Sequence, residues 1–290
     1  MLRPLLAPGR VVAELRALPR AIGVAAWRGL LQFLNSNNLT LASSIAFYAL
    51  LSLVPSLLLL LSLLGLLTAD ADDRKAVLDF ALQYFPEGFQ FVRSQVESLQ
   101  RTRALGVVGS VLMLWATLGF FGAVTKAVNH AWGVERQPNF LKHKLISFLM
   151  LLAAGALFLA GLLLLSARSI AGTEWFTLVL QHLPGLHVLR SLLFEGATTL
   201  VLIVCVALLF YFVPNTNRVR FRDVWPGAIL TGLLWRGALF GFSWYVRELS
   251  GFSVHGSLAA VVVFLWWVFL SSVILLYGVE FTVAWAVKAK

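Results

Sequence analysis

The chain has 290 residues, 60% of them hydrophobic and only 12% charged, with a formal net charge of +10. A soluble domain carries about 25% charged and about 45–50% apolar residues, so an excess of this size cannot be hidden in one core that still needs a polar shell. Composition therefore excludes a soluble protein. The single cysteine, Cys205, excludes an intrachain disulfide.

Residues 1–38 read as a cytoplasmic or interfacial segment. Arginines are spread along it to Arg28 without a compact apolar core and a small-residue cleavage site, so no cleavable signal peptide is expected. In RAIGVAAWRGLLQFLN (20–35), Arg20, Arg28, Gln32 and Asn35 share roughly a third of the helical wheel, and apolar residues with Trp27 fill the rest. The pattern predicts an amphipathic helix in the cytoplasmic interface, beginning near Pro19. A helix packed beneath a bundle fits the same pattern.

A helix needs about 20 apolar residues to cross the ~30 Å hydrocarbon layer. Within 39–290, six stretches qualify: about 41–67, 105–128, 145–167, 193–213, 224–246 and 257–287. The expected fold is all-α, a polytopic integral membrane protein of six transmembrane helices with the N-terminal interfacial helix and a small helical extracytoplasmic cap. The cap is the loop 70–104, where Val77, Phe80, Ala81 and Tyr84, then Phe89, Val92, Val96 and Leu99, recur at helical spacing on either side of Pro86 and Gly88.

The first span carries a polar face. Ser44, Tyr48, Ser52, Pro55, Ser56 and Ser62 fall within about 120° of one another on the helical wheel. Pro55 frees a carbonyl near residue 51 that Ser52 or Ser56 is placed to satisfy. Such a face either lines a cavity or packs tightly on another helix. At the inner end of the second span, Lys126, Asn129 and His130 read as a snorkelling group, with Lys126 and His130 as candidate headgroup contacts. Asn215 and Asp223 read as turn and cap residues around the fifth span.

Arg236 lies twelve residues into that span, about 18 Å deep and near the midplane. A central arginine costs ~2.5–3.5 kcal/mol to insert, so it is expected to face the protein interior or water, with a partner. Ser243 and Arg247 continue its side of the helix. Gly237 and Gly241 make a small-xxx-small step that permits a homo-oligomer. Glu280 on the last span is the expected ionic partner and Glu195 its rival; a purely structural lock is the alternative role.

Orientation follows from Lys and Arg, which cytoplasmic segments retain. Arg3, Arg10, Arg16, Arg20 and Arg28, then Arg136, Lys142 and Lys144, then Arg218, Arg220 and Arg222, and finally Lys288 and Lys290 fall on one side. Both termini are expected in the cytoplasm. These bases are scattered at loop edges rather than arranged as an aromatic-interleaved stripe, which argues against nucleic acid as a partner and for membrane lipids.

Four ordered blocks carry a resemblance: AFYALLSLVPSLLLLLSLLG (46–65), LWATLGFFGAVTKAVNHAWGVER (114–136), YFVPNTNRVRFRDVWPGAILTGLLW (211–235) and GSLAAVVVFLWWVFLSSVILLYGVEF (256–281). Together they resemble the BrkB/YihY family of bacterial inner-membrane proteins, with the third block the most specific. His255 departs from the family pattern, where a tyrosine is expected. The resemblance implies a six-span, multi-pass protein of the bacterial inner membrane, linked in some members to serum resistance or to the lipid and envelope economy. A former ribonuclease label in that family counts as a misassignment. The residues here lend it no support, because Glu14, Glu135, Asp223 and Glu280 are too scattered for metal or acid–base work on phosphodiesters. No phosphate loop, nucleophile elbow or metal-ligand cluster is present, so no catalytic residue, metal or cofactor is expected.

The functional expectation is a non-enzymatic protein that binds or translocates a lipid-like, amphipathic anionic solute. Its pathway, a polar one inside the helix bundle, is assigned to Arg236, Glu280, Ser44, Tyr48, Ser52, Ser243 and Arg247. The alternative is an envelope scaffold or interaction protein acting through its extracytoplasmic loops.

Overall fold

Long runs of Leu, Ala, Val and Phe in a bilayer leave a backbone one economical way to satisfy its polar groups, which is to coil into helix. The computed structural model describes residues 8–67, 107–134, 144–150, 152, 186–216, 219–248 and 256–288, and those segments are overwhelmingly helical. Six helices are set out in chain order: α1 Pro8–Asn35, α2 Asn38–Leu67, α3 Val107–Ala131, α4 Leu186–Phe212, α5 Phe221–Glu248 and α6 Gly256–Lys288. Helices α2 to α6 coincide with five of the predicted spans. Most of the predicted span 145–167 and the whole cap loop 70–104 lie outside the described residues.

Among the described residues, one helix is long and apolar enough to cross a membrane over its whole length, Val261–Val287 of α6. Asn38–Leu53 and Thr199–Phe212 are shorter apolar stretches. In α5, Arg236 and several Gly, Trp and Ser residues dilute the apolar run.

Helix α6 is the axis of the bundle, packed by α1, α2, α3 and α5, while α2 also packs on α3 and α4 on α5. The core gathers around Phe210, Val128, Val224, Leu276 and Val279, all essentially buried. A second cluster of Phe242, Val263 and Trp267 joins α5 to α6 farther along. Between them, α5 and α6 cross at a reciprocal pair of glycines. A Cβ on Gly227 would meet Thr282 Oγ1 at 1.8 Å, and one on Gly278 would meet Thr231 Oγ1 at 1.8 Å. Each threonine hydroxyl donates back to its own helix, Thr231 to the Gly227 carbonyl at 2.7 Å and Thr282 to the Gly278 carbonyl at 2.8 Å. Small residues let the backbones close, and the satisfied hydroxyls then fit the remaining space. The sequence reading had assigned close approach to Gly237 and Gly241, but both are exposed with open space around them.

The N-terminal segment differs from its simplest expectation. Helix α1 starts at Pro8 and runs through Pro19 rather than beginning there. It docks on α6: a Cβ on Gly29 would lie 2.9 Å from the Phe281 backbone, and the Tyr277 hydroxyl donates to the Ala26 carbonyl at 3.2 Å. Ala25, Gly29 and Phe33 bury one face at helical spacing, while Trp27, Leu31 and Leu34 stay exposed on the other. The helix is thus packed against the bundle on one side, with Arg28, Gln32 and Asn35 exposed alongside the apolar residues on the other.

Helix α3 ends at Gly133, whose φ of 65° a side chain would resist. Its N–H donates to the His130 carbonyl at 2.9 Å, and that of Val134 to the Asn129 carbonyl at 3.0 Å, a paired C-terminal cap. Beyond it, Lys144 was expected at the inner rim. Its ammonium instead stands 4.2 Å from the centre of the Trp115 ring, about four turns back along α3 from Ala131. The Thr125 hydroxyl meets Met150 Sδ at 3.3 Å, a second contact between the stretch 144–150 and α3. A cation over an indole face is a favourable contact that loop-edge counting does not foresee.

Candidate functional site

The buried ionisable group of the bundle is Glu280. It sits on α6 with 4% of its surface exposed. The tight turn Ser36–Asn37 reverses the chain between α1 and α2, closing α1 with Ser36 N–H on the Gln32 carbonyl at 3.1 Å and opening α2 with Leu41 N–H on the Asn37 carbonyl at 3.0 Å. That reversal delivers Asn38, fully buried, onto the carboxylate: its Nδ2 donates to Glu280 Oε1 at 2.8 Å. The same nitrogen lies 2.5 Å from Ser36 Oγ, so one amide joins the turn to the carboxylate. The close approach of Gly29 to Glu280 and Phe281 brings the turn near enough for this contact.

Arg236 is elsewhere. Its Nη1 donates to Thr199 Oγ1 of α4 at 2.7 Å, and its side chain is exposed. Gly232, one turn earlier on the same face, packs on Ile203 of α4, so this side of α5 belongs to α4. The crossing that sets Gly227 against Thr282 and Thr231 against Gly278 puts Arg236 level with Val273, roughly 10 Å along α6 from Glu280. The expected Arg236–Glu280 pair is therefore not formed, and Arg236 is not turned inward. Each polar group has found a nearer partner on a helix that sequence periodicity does not identify.

The first-span face is also divided. Ser44 is half-buried and donates to the Thr40 carbonyl at 3.0 Å; Ser52 is buried and donates to the Ala49 carbonyl at 3.2 Å; Ser56 donates to the Leu53 carbonyl at 3.0 Å. Neither Ser52 nor Ser56 takes the carbonyl of residue 51, and α2 continues unbroken through Pro55. Tyr48 is exposed along one edge while its ring covers Gly119 of α3, where a Cβ would lie 3.3 Å away. Ser243 is half-buried, and the side chain of Arg247 lies outside the described residues, as does that of Glu195.

Lys126 and His130 are exposed on α3 beside the fully buried Asn129. Asn129 Nδ2 donates to the Thr125 carbonyl at 2.9 Å, and its Oδ1 accepts the Asn215 N–H at 2.7 Å. This bond pins the turn before α5 to the end of α3. Asn38 and Ser36 are the site residues that sequence reasoning missed. Their signal was the polar run NSNN at 35–38 between two apolar helices, which looks like any turn until a buried carboxyl is found opposite it. Among the described residues, no group of three His, Cys, Asp or Glu side chains is placed to hold a metal.

Comparison with known proteins places this arrangement in a lineage. Residues 30–290 match the family model described as virulence factor BrkB. A UPF0761 membrane protein of Tolumonas auensis is 30% identical over 250 residues, covering 83% of this chain and 78% of that one. A UPF0761 membrane protein of Alkalilimnicola ehrlichii is 29% identical over 84% of this chain, which spans 54% of that relative's length. A ribonuclease-like protein of Bacillus subtilis, YfkH, is 27% identical over 82% of this chain and 86% of its own. No solved structure matches. The match runs from the last turns of α1 through α6 and takes in both Asn38 and Glu280, so the chain belongs to the BrkB virulence-factor family of bacterial membrane proteins.

Proposed function

We propose that the protein is a non-enzymatic, six-span protein of the bacterial inner membrane, both termini cytoplasmic, that binds or translocates an anionic, lipid-like amphiphile. The observation carrying this reading is the exposed Arg236 guanidinium, steadied by Thr199 at 2.7 Å. Leu233, Phe240 and Trp244 are exposed on the same helix, and Gly237 and Gly241 open a shallow furrow beside them. A cation at mid-depth attracts an anionic headgroup, and the leucine, phenylalanine and glycine surface accepts acyl chains. The amphiphile then meets the protein from the bilayer, along α4 and α5, instead of in a sealed bundle interior. Glu280 is too far along α6 to share this contact. The hydroxyls of Ser44 and Ser52, turned to their own helix carbonyls, are left a packing role.

The ribonuclease-like name of the Bacillus relative gains no support from the acids described here. Asp223 lies in the first turn of α5 and Glu280 is buried against Asn38.

The test is reconstitution in vesicles containing a fluorescent phosphatidylglycerol, comparing transbilayer movement for the native chain and Arg236→Ala. Loss of a charge-assisted hydrogen bond, ~1.5–3 kcal/mol, predicts a fall of roughly tenfold or more. An equal rate in the variant removes Arg236 from the mechanism.

A further inference from the structure

The Glu280 cluster is short of hydrogens. The Asn38 amide brings two, spent on Ser36 Oγ and Glu280 Oε1, and the Ser36 hydroxyl brings one, donated to the Phe33 carbonyl at 3.4 Å. Asn38 Oδ1, in a side chain with no exposed surface, is left without any partner. The carboxylate itself has no cationic partner among the described residues. On the elements packed around it, Arg20 and Arg28 of α1, Lys126 and His130 of α3, and Arg222 of α5 are exposed. Asp223 of α5 is half-buried, Tyr48 is the titratable group on the described part of α2, and Tyr277 of α6 donates to Ala26. None of these is bonded to Glu280. A buried carboxylate without a countercharge is costly, and such a group is commonly neutralised.

One distance points the same way. Ser36 Oγ and the Asn38 amide atom facing it are 2.5 Å apart, shorter than N–H···O bonds run but ordinary for O–H···O. A half-turn of the amide exchanges Oδ1 and Nδ2 without moving another atom. Ser36 then donates to Oδ1 at that distance, and Oδ1 faces the Glu280 oxygen at 2.8 Å. Two oxygens in that relation hold together when a proton lies between them. The half-turn moves the unpartnered position from Oδ1 to Nδ2, so the short contact and the missing countercharge are what favour it.

We propose that Glu280 and Asn38 form a proton-binding site at the junction of α1, α2 and α6. In the loaded state the neutral Glu280 carboxyl donates its O–H to Asn38 Oδ1. On unloading, the O–H bond breaks, the proton passes to bulk water, the electron pair stays on the carboxylate, and the amide turns to donate through Nδ2. Both states keep the α1–α2 turn on α6, with the direction of one hydrogen bond reversed. This site is separate from Arg236 and does not rest on the transport reading.

The test is infrared spectroscopy of the full chain in lipid vesicles, titrated in pH, with Glu280→Gln and Ser36→Ala. The native protein is expected to show the C=O stretch of a neutral carboxylic acid at neutral pH that Glu280→Gln removes and Ser36→Ala shifts. Thermal stability of the native chain should fall as pH rises and the proton leaves, whereas that of Glu280→Gln stays level. Three results would each overturn the proposal: Glu280→Gln removing a carboxylate stretch at neutral pH in place of the acid band, a band unmoved by Ser36→Ala, or a band displaced by sodium at fixed pH. Where Glu280→Gln fails to fold, the Ser36→Ala shift and the native pH titration decide the matter.

Discussion

Asn38 Nδ2 lies 2.8 Å from Glu280 Oε1, a bond that joins residues 242 positions apart and ties the start of α2 to the C-terminal part of α6. Both side chains are buried, so neither can turn to water if the other is lost.

Removing the amide is therefore expected to cost more than removing a surface contact. Asn38→Leu leaves a buried acid without its donor, and a loss of ~1–3 kcal/mol in folding stability is expected. Glu280→Gln, which keeps an oxygen to accept from Asn38, should cost less. Thermal unfolding in matched lipid nanodiscs compares the two, and equal effects would show that the bond does not organise this junction.

The α5–α6 crossing makes a sharper prediction. Gly227→Ala or Gly278→Ala drives a methyl into a threonine hydroxyl and the facing backbone, and overpacking of this kind costs ~1–3 kcal/mol. Gly237→Ala meets open space, and the better helix former is expected to be neutral or to stabilise by up to about 1 kcal/mol. Opposite signs at two glycines ten positions apart on one helix would confirm the register; equal losses would refute it.

At the α4–α5 contact, Thr199→Val removes the hydroxyl that steadies Arg236 while keeping the side chain's volume. Phosphatidylglycerol movement in vesicles is expected to slow by a few-fold, as for one hydrogen bond of ~0.5–1.5 kcal/mol. Arg236→Lys keeps the charge but loses the planar fork, and should fall between the native chain and Arg236→Ala. A lysine variant as slow as the alanine one would mean that geometry, and not charge, matters.

Ser44→Ala and Ser52→Ala test the first-span face directly. Their hydroxyls are satisfied within α2, so both variants should fold and move lipid at the native rate. A strong loss in either would restore the polar face to the pathway.

The turn before α5 depends on Asn129. Asn129→Ala removes the acceptor for the half-buried Asn215 N–H, for an expected ~0.5–1.5 kcal/mol of lost stability. Lys126→Ala, exposed one turn away, should change stability by less than about 0.5 kcal/mol. Unfolding curves of the two variants compare them.

Much of the helical text was legible in advance. Five of the apolar runs fall on helices α2 to α6, because an apolar chain that leaves water can pair its backbone within one segment only by coiling into helix. Membrane character and family membership were legible for the same reason: apolar content and ordered motif blocks are properties of the chain alone. Arg236 and Glu280 were both visible as unusual polar residues in apolar surroundings. Their pairing was not. Periodicity shows which face of a helix a residue occupies, and it is silent on which of several helices that face will meet.

Tertiary structure decided the rest. Close contacts at Gly29, Gly227, Gly232 and Gly278 set how far each helix slides along its neighbour, and that sliding places Thr199 beside Arg236 and Asn38 beside Glu280. A glycine that admits a facing backbone and one that opens onto empty space are the same letter in a sequence. Composition thus marked this chain as a membrane protein, and short-range packing between distant segments decided which partner each of its polar groups meets.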